Sequence, residues 1–347
     1  MLLFHNDYNE MCHPAILKKM QENMGHPTGG YGTDAICKNA ADLIRKACGD
    51  DNLSVHFLVG GTQANLTVID ACLRPHQGVI SADTGHIHVH ETGAVEATGH
   101  KVLAVPTEDG KLDAATVDKM VCDHFADESF EHIVQPKVVY ISNPSELGTI
   151  YSKKELMDLY AVCRKYGLYL FVDGARLGYG LTAPGNDLTL SDVAAYTDVF
   201  YIGGTKVGAM FGEAVVISNP VIAADFRYLI KQHGGMLAKG WLLGLQFETL
   251  FEDGLYFEIS KHANRMASIL RDCIKKLGYS FYIDGVTNQL FPVLPEKVLA
   301  QLDSVATYST QARIDDAHRA VRFCTSWATR EEDVLALCKA LEEFSGK

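Results

Sequence analysis

The 347-residue sequence has no run of five or more lysines and arginines, and its formal charge is −12, from 31 basic and 43 acidic residues. A nucleic-acid backbone would find no cationic footprint to hold it, so no nucleic-acid partner is expected. There is also no Cys-x-x-Cys pair: the nine cysteines, at 12, 37, 48, 72, 122, 163, 273, 324 and 338, are odd in number and scattered. That pattern argues against a zinc ribbon and a disulfide framework and reads as reduced, mostly buried thiols. No stretch approaches the roughly 20 apolar residues of a membrane span, so no membrane partner is expected. The opening Met1-Leu2-Leu3-Phe4-His5-Asn6-Asp7 offers four apolar residues before it turns polar, too few for a signal peptide. The expected compartment is the cytoplasm. Internal repeats and low-complexity segments are absent as well.

What is there is 47% hydrophobic residues, enough for one large α/β domain and a smaller one. Strand-length apolar runs at 55–58, 79–81, 101–105, 138–142, 168–172, 199–202 and 214–217 alternate with helical patterns such as 63–73, 114–125 and 153–166. Such alternation predicts a mostly parallel seven-stranded sheet sandwiched by helices. After Gly240 the pattern changes to long helices at 241–250 and 256–277, short strands near 289–293 and 320–325, and a last helix from residue 330. The expected division is a large domain over 14–244 and a small α+β domain made of 1–13 and 245–347.

Three strand ends carry chemistry. The strand 55–59 runs into Gly60-Gly61-Thr62-Gln63-Ala64-Asn65 and then into a helix. Glycines let a backbone approach an anion, and the free N–H groups of a first helical turn point at it. Taken alone, the segment equally fits an ordinary capped turn. The strand 168–172 ends in Asp173-Gly174-Ala175-Arg176, and 198–202 ends in Gly203-Gly204-Thr205-Lys206. Ligands of open α/β sheets gather beyond the carboxyl ends of strands, so the acid and the amine meet at one edge. A surface ion pair with a turn lysine is the plainer reading. The combined pattern instead fits pyridoxal 5′-phosphate (PLP) chemistry, in which an amine forms the Schiff base and a carboxylate keeps the ring nitrogen protonated.

At these residues the chain resembles the threonine aldolase and β-eliminating lyase family of fold-type I PLP enzymes, whose fold is aspartate aminotransferase-like, and the resemblance covers nearly the whole chain. It implies that Asp173 pairs with the pyridine nitrogen, that Arg176 binds the substrate carboxylate, and that Lys206 is the Schiff-base lysine. It further implies that the Thr205 hydroxyl and the Gly61-Thr62-Gln63 turn hold the phosphate. His86-Ile87-His88-Val89-His90-Glu91-Thr92-Gly93 matches the family's histidine segment, which assigns His86 to stacking over the ring and to proton transfer. A metal site is the rival reading, because His86, His88 and His90 would share one face if the segment were a strand. The preceding turn at 82–85 argues against an extended run, and no metal is expected.

The same resemblance makes Arg322 a second clamp on the carboxylate, against the alternative of an arginine on a half-exposed strand. It marks His132 as a candidate near the substrate hydroxyl. Two departures stand out: Asn6-Asp7 replaces a serine-aspartate pair, which makes Asn6 a candidate substrate contact, and Leu237 replaces an arginine that reaches phosphate across the subunit interface. Lys231, His233 and Lys239 are the candidate substitutes. The implied activity is cleavage of a β-hydroxy-α-amino acid such as threonine to glycine and an aldehyde, with His86, His132 or a water as base. The alternatives are β-elimination or transamination of another amino acid, or a non-catalytic protein on the same scaffold. A homodimer or homotetramer with active sites at the dimer interface is expected.

Overall fold

The computed structural model describes residues 1–346. Seven strands form the main sheet: β1 (Ser54–Leu58), β2 (Gln77–Ala82), β3 (Lys101–Val105), β4 (Gln135–Ser142), β5 (Tyr169–Asp173), β6 (Val199–Gly203) and β7 (Glu213–Ile217). Their spatial order is β1-β7-β6-β5-β4-β2-β3, and β7 alone runs antiparallel to its neighbours. The central strands are apolar nearly throughout because both faces are covered by helices, the usual state of a parallel sheet.

Side-chain parity divides this sheet cleanly. Val139, Ile141, Leu170, Val172, Phe200 and Ile202 face one core, whereas Val138, Tyr140, Phe171, Val199 and Tyr201 face the other, as the two-residue period of a strand requires. Asp173 lies two residues beyond Phe171 and so leaves the sheet on the side of Tyr140 and Tyr201. The flanking helices carry local signals that fix their ends. Lys153–Tyr166 begins with a Ser152/Glu155 capping box and stops at left-handed Gly167, and Ala35–Cys48 begins at the Asp34 cap.

A second, four-stranded antiparallel sheet consists of β8 (Phe281–Ile283), β9 (Gln289–Pro295), β10 (Ser309–Arg313) and β11 (His318–Cys324), in the order β10-β11-β9-β8. Its core joins Phe4 to the helices Leu255–Lys276, Glu296–Leu302 and Glu331–Ser345. Leu245 to Ala263 still pack in a core of the main sheet, and the change to the second core falls between Ala263 and Met266, within one helix. Leu2–Leu3 pairs in parallel with Ala306–Thr307, which ties the amino-terminal segment to this half and brings residues 5–8 toward the main sheet's edge. Among the described residues, no helix is long and apolar enough to cross a membrane.

Candidate active site

The carboxyl edge of the main sheet carries the chemistry. Gly60 and Gly61 follow β1, His86 follows β2, Glu146 follows β4, Asp173 ends β5 and Lys206 follows β6. The antiparallel direction of β7 places its first residue, Glu213, at the same edge, in register with Gly203. These residues line a cavity of about 340 Å³ together with Tyr8, Thr62, Ser142, Arg176, Tyr201 and Thr205. A second cavity, of about 530 Å³, shares Tyr8, His86, Glu146, Arg176 and Lys206 with the first and adds His90, Gln289 and Arg322.

Asp173 is buried, and both of its oxygens are occupied. Oδ1 accepts from Tyr201 Oη at 2.5 Å and Ala175 N at 3.0 Å, and Oδ2 accepts from Tyr140 Oη at 2.5 Å and Asn65 Nδ2 at 3.1 Å. Burial by itself would raise the carboxyl pKa, but the nearby His86 charge and the hydroxyl and amide donors outweigh it and hold the pKa below the ordinary aspartate value. The same Asn65 amide donates to Glu91 Oε1 at 2.8 Å, and that oxygen lies 2.7 Å from His86 Nδ1. Burial lowers the imidazole pKa, yet the Glu91 bond and the Asp173 charge prevail and raise it. The result is a fixed anion with an imidazole beside it that its neighbours make more basic.

Lys206 is half-buried, and among the described residues its amine makes no hydrogen bond or ion pair. Burial and the neighbouring Arg176 charge lower its pKa, the direction a nucleophilic amine needs. On the phosphate-cradle side, the helix Gly61–Cys72 starts with no side-chain cap. The N–H groups of Gly61, Thr62 and Gln63 make no backbone hydrogen bond, as is intrinsic to a first turn. A Cβ on Gly60 would meet nothing within 4 Å, so the turn opens into free space.

Several sequence-based expectations need correction. His132 is exposed in the turn Phe130–His132 that precedes β4, at the amino end of an eight-residue strand. That puts it roughly 25 Å from the carboxyl edge at about 3.3 Å per residue, and it lines neither cavity. The resemblance misled here because strand length, not distance along the sequence, decides which edge a residue reaches. Asn6 lines neither cavity; its Oδ1 accepts from Tyr8 N at 2.9 Å. Asp7 does the work at that position, gripping Arg176 through Nε at 2.7 Å and Nη2 at 3.0 Å. Arg176 therefore keeps Nη1 and the second N–H of Nη2 uncommitted among the described residues.

Gln63 turns its side chain away from the cavity, accepting from Val59 N at 3.2 Å and donating to His233 O at 3.0 Å, so only its backbone N–H remains available. Thr205 donates to Glu213 Oε1 at 2.9 Å and accepts from Gly212 N at 3.0 Å, so its hydroxyl braces the lysine turn. The segment His86–Val89 is helical, so His86, His88 and His90 share no strand face and the metal reading loses its geometry. Of the candidate substitutes, His233 is held by Thr67 and Asp70 and Lys231 lies over the Tyr31 ring, whereas Lys239 has no partner among the described residues.

Arg322 reaches the second cavity with poorly satisfied donors. Its nearest acceptors are His5 O at 3.2 Å, Gln289 Oε1 at 3.4 Å and Ser309 Oγ at 3.5 Å, and its buried Nε has none. Sequence reasoning missed Asp7, Asn65, Tyr140, Glu146, Tyr201 and Glu213. Tyr140 and Tyr201 did carry a signal, the strand parity that puts them on the Asp173 face.

The sequence model of the Beta-eliminating lyase family matches residues 10–296. This chain belongs to that family. The lyase is similar to the low specificity L-threonine aldolase of Pseudomonas aeruginosa, at 30% identity over 98% of this chain and 97% of that protein. A Pseudomonas sp. enzyme of the same name is 31% identical over 96% of this chain and 94% of its own length. Among solved structures, Leishmania major threonine aldolase superposes with a TM-score of 0.97 at 45% identity, covering 99% of this chain and 100% of that one. Thermus thermophilus aspartate aminotransferase shares the fold at 16% identity, with a TM-score of 0.73 over 99% and 91% of the two chains.

The lyase is a PLP-dependent enzyme, and its residues fit that cofactor. A partnerless amine, a carboxylate held as an anion, an imidazole beside it and an uncapped helix start surround one cavity. These are the groups that a carbonyl, a pyridine nitrogen, a flat ring and a phosphate require.

Proposed function

We propose that this lyase cleaves β-hydroxy-α-amino acids, threonine and allo-threonine foremost, to glycine and acetaldehyde. The observation that carries this reading is the meeting of Lys206, Asp173 and His86 in one cavity, in a chain that is 45% identical over nearly its full length to a threonine aldolase of known structure. When bound, PLP supplies an electron sink for the bonding pair released at the amino acid's Cα.

The chain's own residues do the rest. Lys206 is the amine that would anchor the cofactor's carbonyl. Asp173 holds a positive charge on the pyridine nitrogen, and the two tyrosine hydroxyls keep it anionic and fixed in place. His86, held by Glu91 and lining the same cavity, would stack against the cofactor's ring. Arg322, whose Nε is buried and unpaired, takes the substrate carboxylate together with Nη1 of Arg176. Gly61, Thr62 and the Gln63 backbone cradle the phosphate.

The assembly is a homodimer or homotetramer. Lys206 and Arg176 are the only Lys or Arg side chains that line the cofactor cavity among the described residues. Both have other duties, so a second copy supplies the remaining charge for the phosphate. The nine free cysteines fit the cytoplasm.

The test is to incubate purified protein with threonine and allo-threonine and assay glycine and acetaldehyde. Pyruvate and ammonia in their place would point to β-elimination, and neither pair of products from PLP-loaded protein would remove the aldolase reading. Lys206→Ala should abolish both the visible absorbance of bound PLP and the cleavage.

A further inference from the structure

Retro-aldol cleavage needs a base for the β-hydroxyl, and the structure leaves few groups free to accept a proton there. His132 is remote. His86 is tied through Nδ1 to Glu91 and lies in the field of Asp173, which favours its cationic, donor form. Glu213 spends both oxygens on Gly204 N and Thr205 Oγ1, and Asp173 is fully bonded.

Glu146 is different. Among the described residues it is the one carboxylate that lines both the cofactor cavity and the larger cavity where Arg322 lies. Its Oε1 is anchored by His86 N at 3.0 Å and Ser142 Oγ at 2.7 Å, while among the described residues no donor from another residue reaches Oε2. The loop that carries it is stiff: Ser145 N donates to Thr149 O at 2.8 Å, the two side-chain hydroxyls lie 2.6 Å apart, and Leu147 is buried beside them. One oxygen is thus fixed, and the carboxylate stands where the two cavities meet.

We propose that Glu146 is the catalytic base that takes the β-hydroxyl proton of the substrate. This rests on the aldolase reading above and names a residue for a step that reading leaves open. The O–H proton moves to Oε2, and the O–H bonding pair becomes the second bond of the aldehyde C=O. The Cα–Cβ bond breaks and leaves its pair with Cα. Cα then takes up one proton and Glu146 gives one to solvent, so threonine yields glycine and acetaldehyde with no net change in protons. Burial and the Asp173 charge raise the carboxyl pKa, which makes Glu146 a better acceptor than an exposed glutamate.

Glycine lacks the β-hydroxyl, and that separates this role from a structural one. In PLP-loaded Glu146→Gln, kcat for threonine cleavage should fall by about 10²–10⁴-fold, whereas glycine affinity, read by spectral titration, and exchange of the glycine Cα hydrogen in D₂O should stay within about threefold. Glu146→Ala should regain cleavage when formate is added. Equal losses of cleavage and of glycine exchange, or unchanged cleavage, would overturn the assignment. Wild-type protein that exchanges glycine but cleaves neither threonine nor allo-threonine would instead remove the aldolase reading, and the proposal with it.

Discussion

Arg176 and Asp7 form a two-point ion pair across 169 residues of sequence, with Nε to Oδ2 at 2.7 Å and Nη2 to Oδ1 at 3.0 Å. Asp7 is fully buried, and Asn288 Nδ2 donates to the same Oδ2 at 2.8 Å. The pair fixes a guanidinium at the edge of the main sheet from a segment anchored in the other half, so it joins the two halves at the site itself.

Asp7→Asn should cost about 3–5 kcal/mol, because it leaves a buried guanidinium without its counter-ion. Burial acts to raise the Asp7 pKa, but the Arg176 charge overrides it and the folded value lies below the ordinary one. The carboxylate's contribution is therefore complete above a pH of about 3.9 and is lost as pH falls through the lower folded value. Urea unfolding against pH should show the wild type losing stability there and the variant lacking that component.

Glu213 titrates the other way. Burial raises its pKa to about 8, so the folded chain keeps a proton that the unfolded chain releases. Stability should decline as pH rises from about 4.5 toward 8, and Glu213→Gln should flatten that decline. Glu213→Ala removes the acceptors for Gly204 N and Thr205 Oγ1, costs about 1–3 kcal/mol, and should loosen PLP. Melting temperature and retained cofactor absorbance check both effects.

Arg322→Ala removes a charged clamp without touching the cofactor end. KM for threonine should rise by about 10–100-fold, in line with about 1.5–3 kcal/mol for a hydrogen bond to a charged group. The absorbance of bound PLP should be unchanged, and steady-state kinetics with a spectrum of the same preparation decide it.

Gly174→Ala places a Cβ 1.9 Å from Tyr201 O, within the junction that holds Asp173 against β6. The strands cannot separate without breaking the Gly203 N to Gly174 O bond at 2.9 Å. A loss of at least about 1–3 kcal/mol is expected from overpacking, with weaker PLP retention. Denaturant midpoint and cofactor content measure it.

The seven strands of the main sheet could be read from their apolar runs, and the Lys206 and Asp173 positions from the polar residues that end two of them. Those features are local: burial on both faces writes a continuous hydrophobic run, and the first polar residue after it marks the edge where ligands bind. The edge strands β8 and β10 were not legible, because Phe281–Ile283 is three residues long and Ser309–Arg313 is largely polar and exposed. Which side chains meet was decided by the tertiary structure. Sequence placed the side chains of Asn6 and Gln63 beside the ligand, and hydrogen bonds to Tyr8 and His233 took them elsewhere, while Thr205 stays at the cavity with its hydroxyl bonded to Glu213. Sequence also gave no hint that Glu213 would share an edge with Lys206, since that depends on β7 running antiparallel. A hydrogen-bond partner is chosen by three-dimensional proximity, and strand direction and register set that proximity only after the chain has folded.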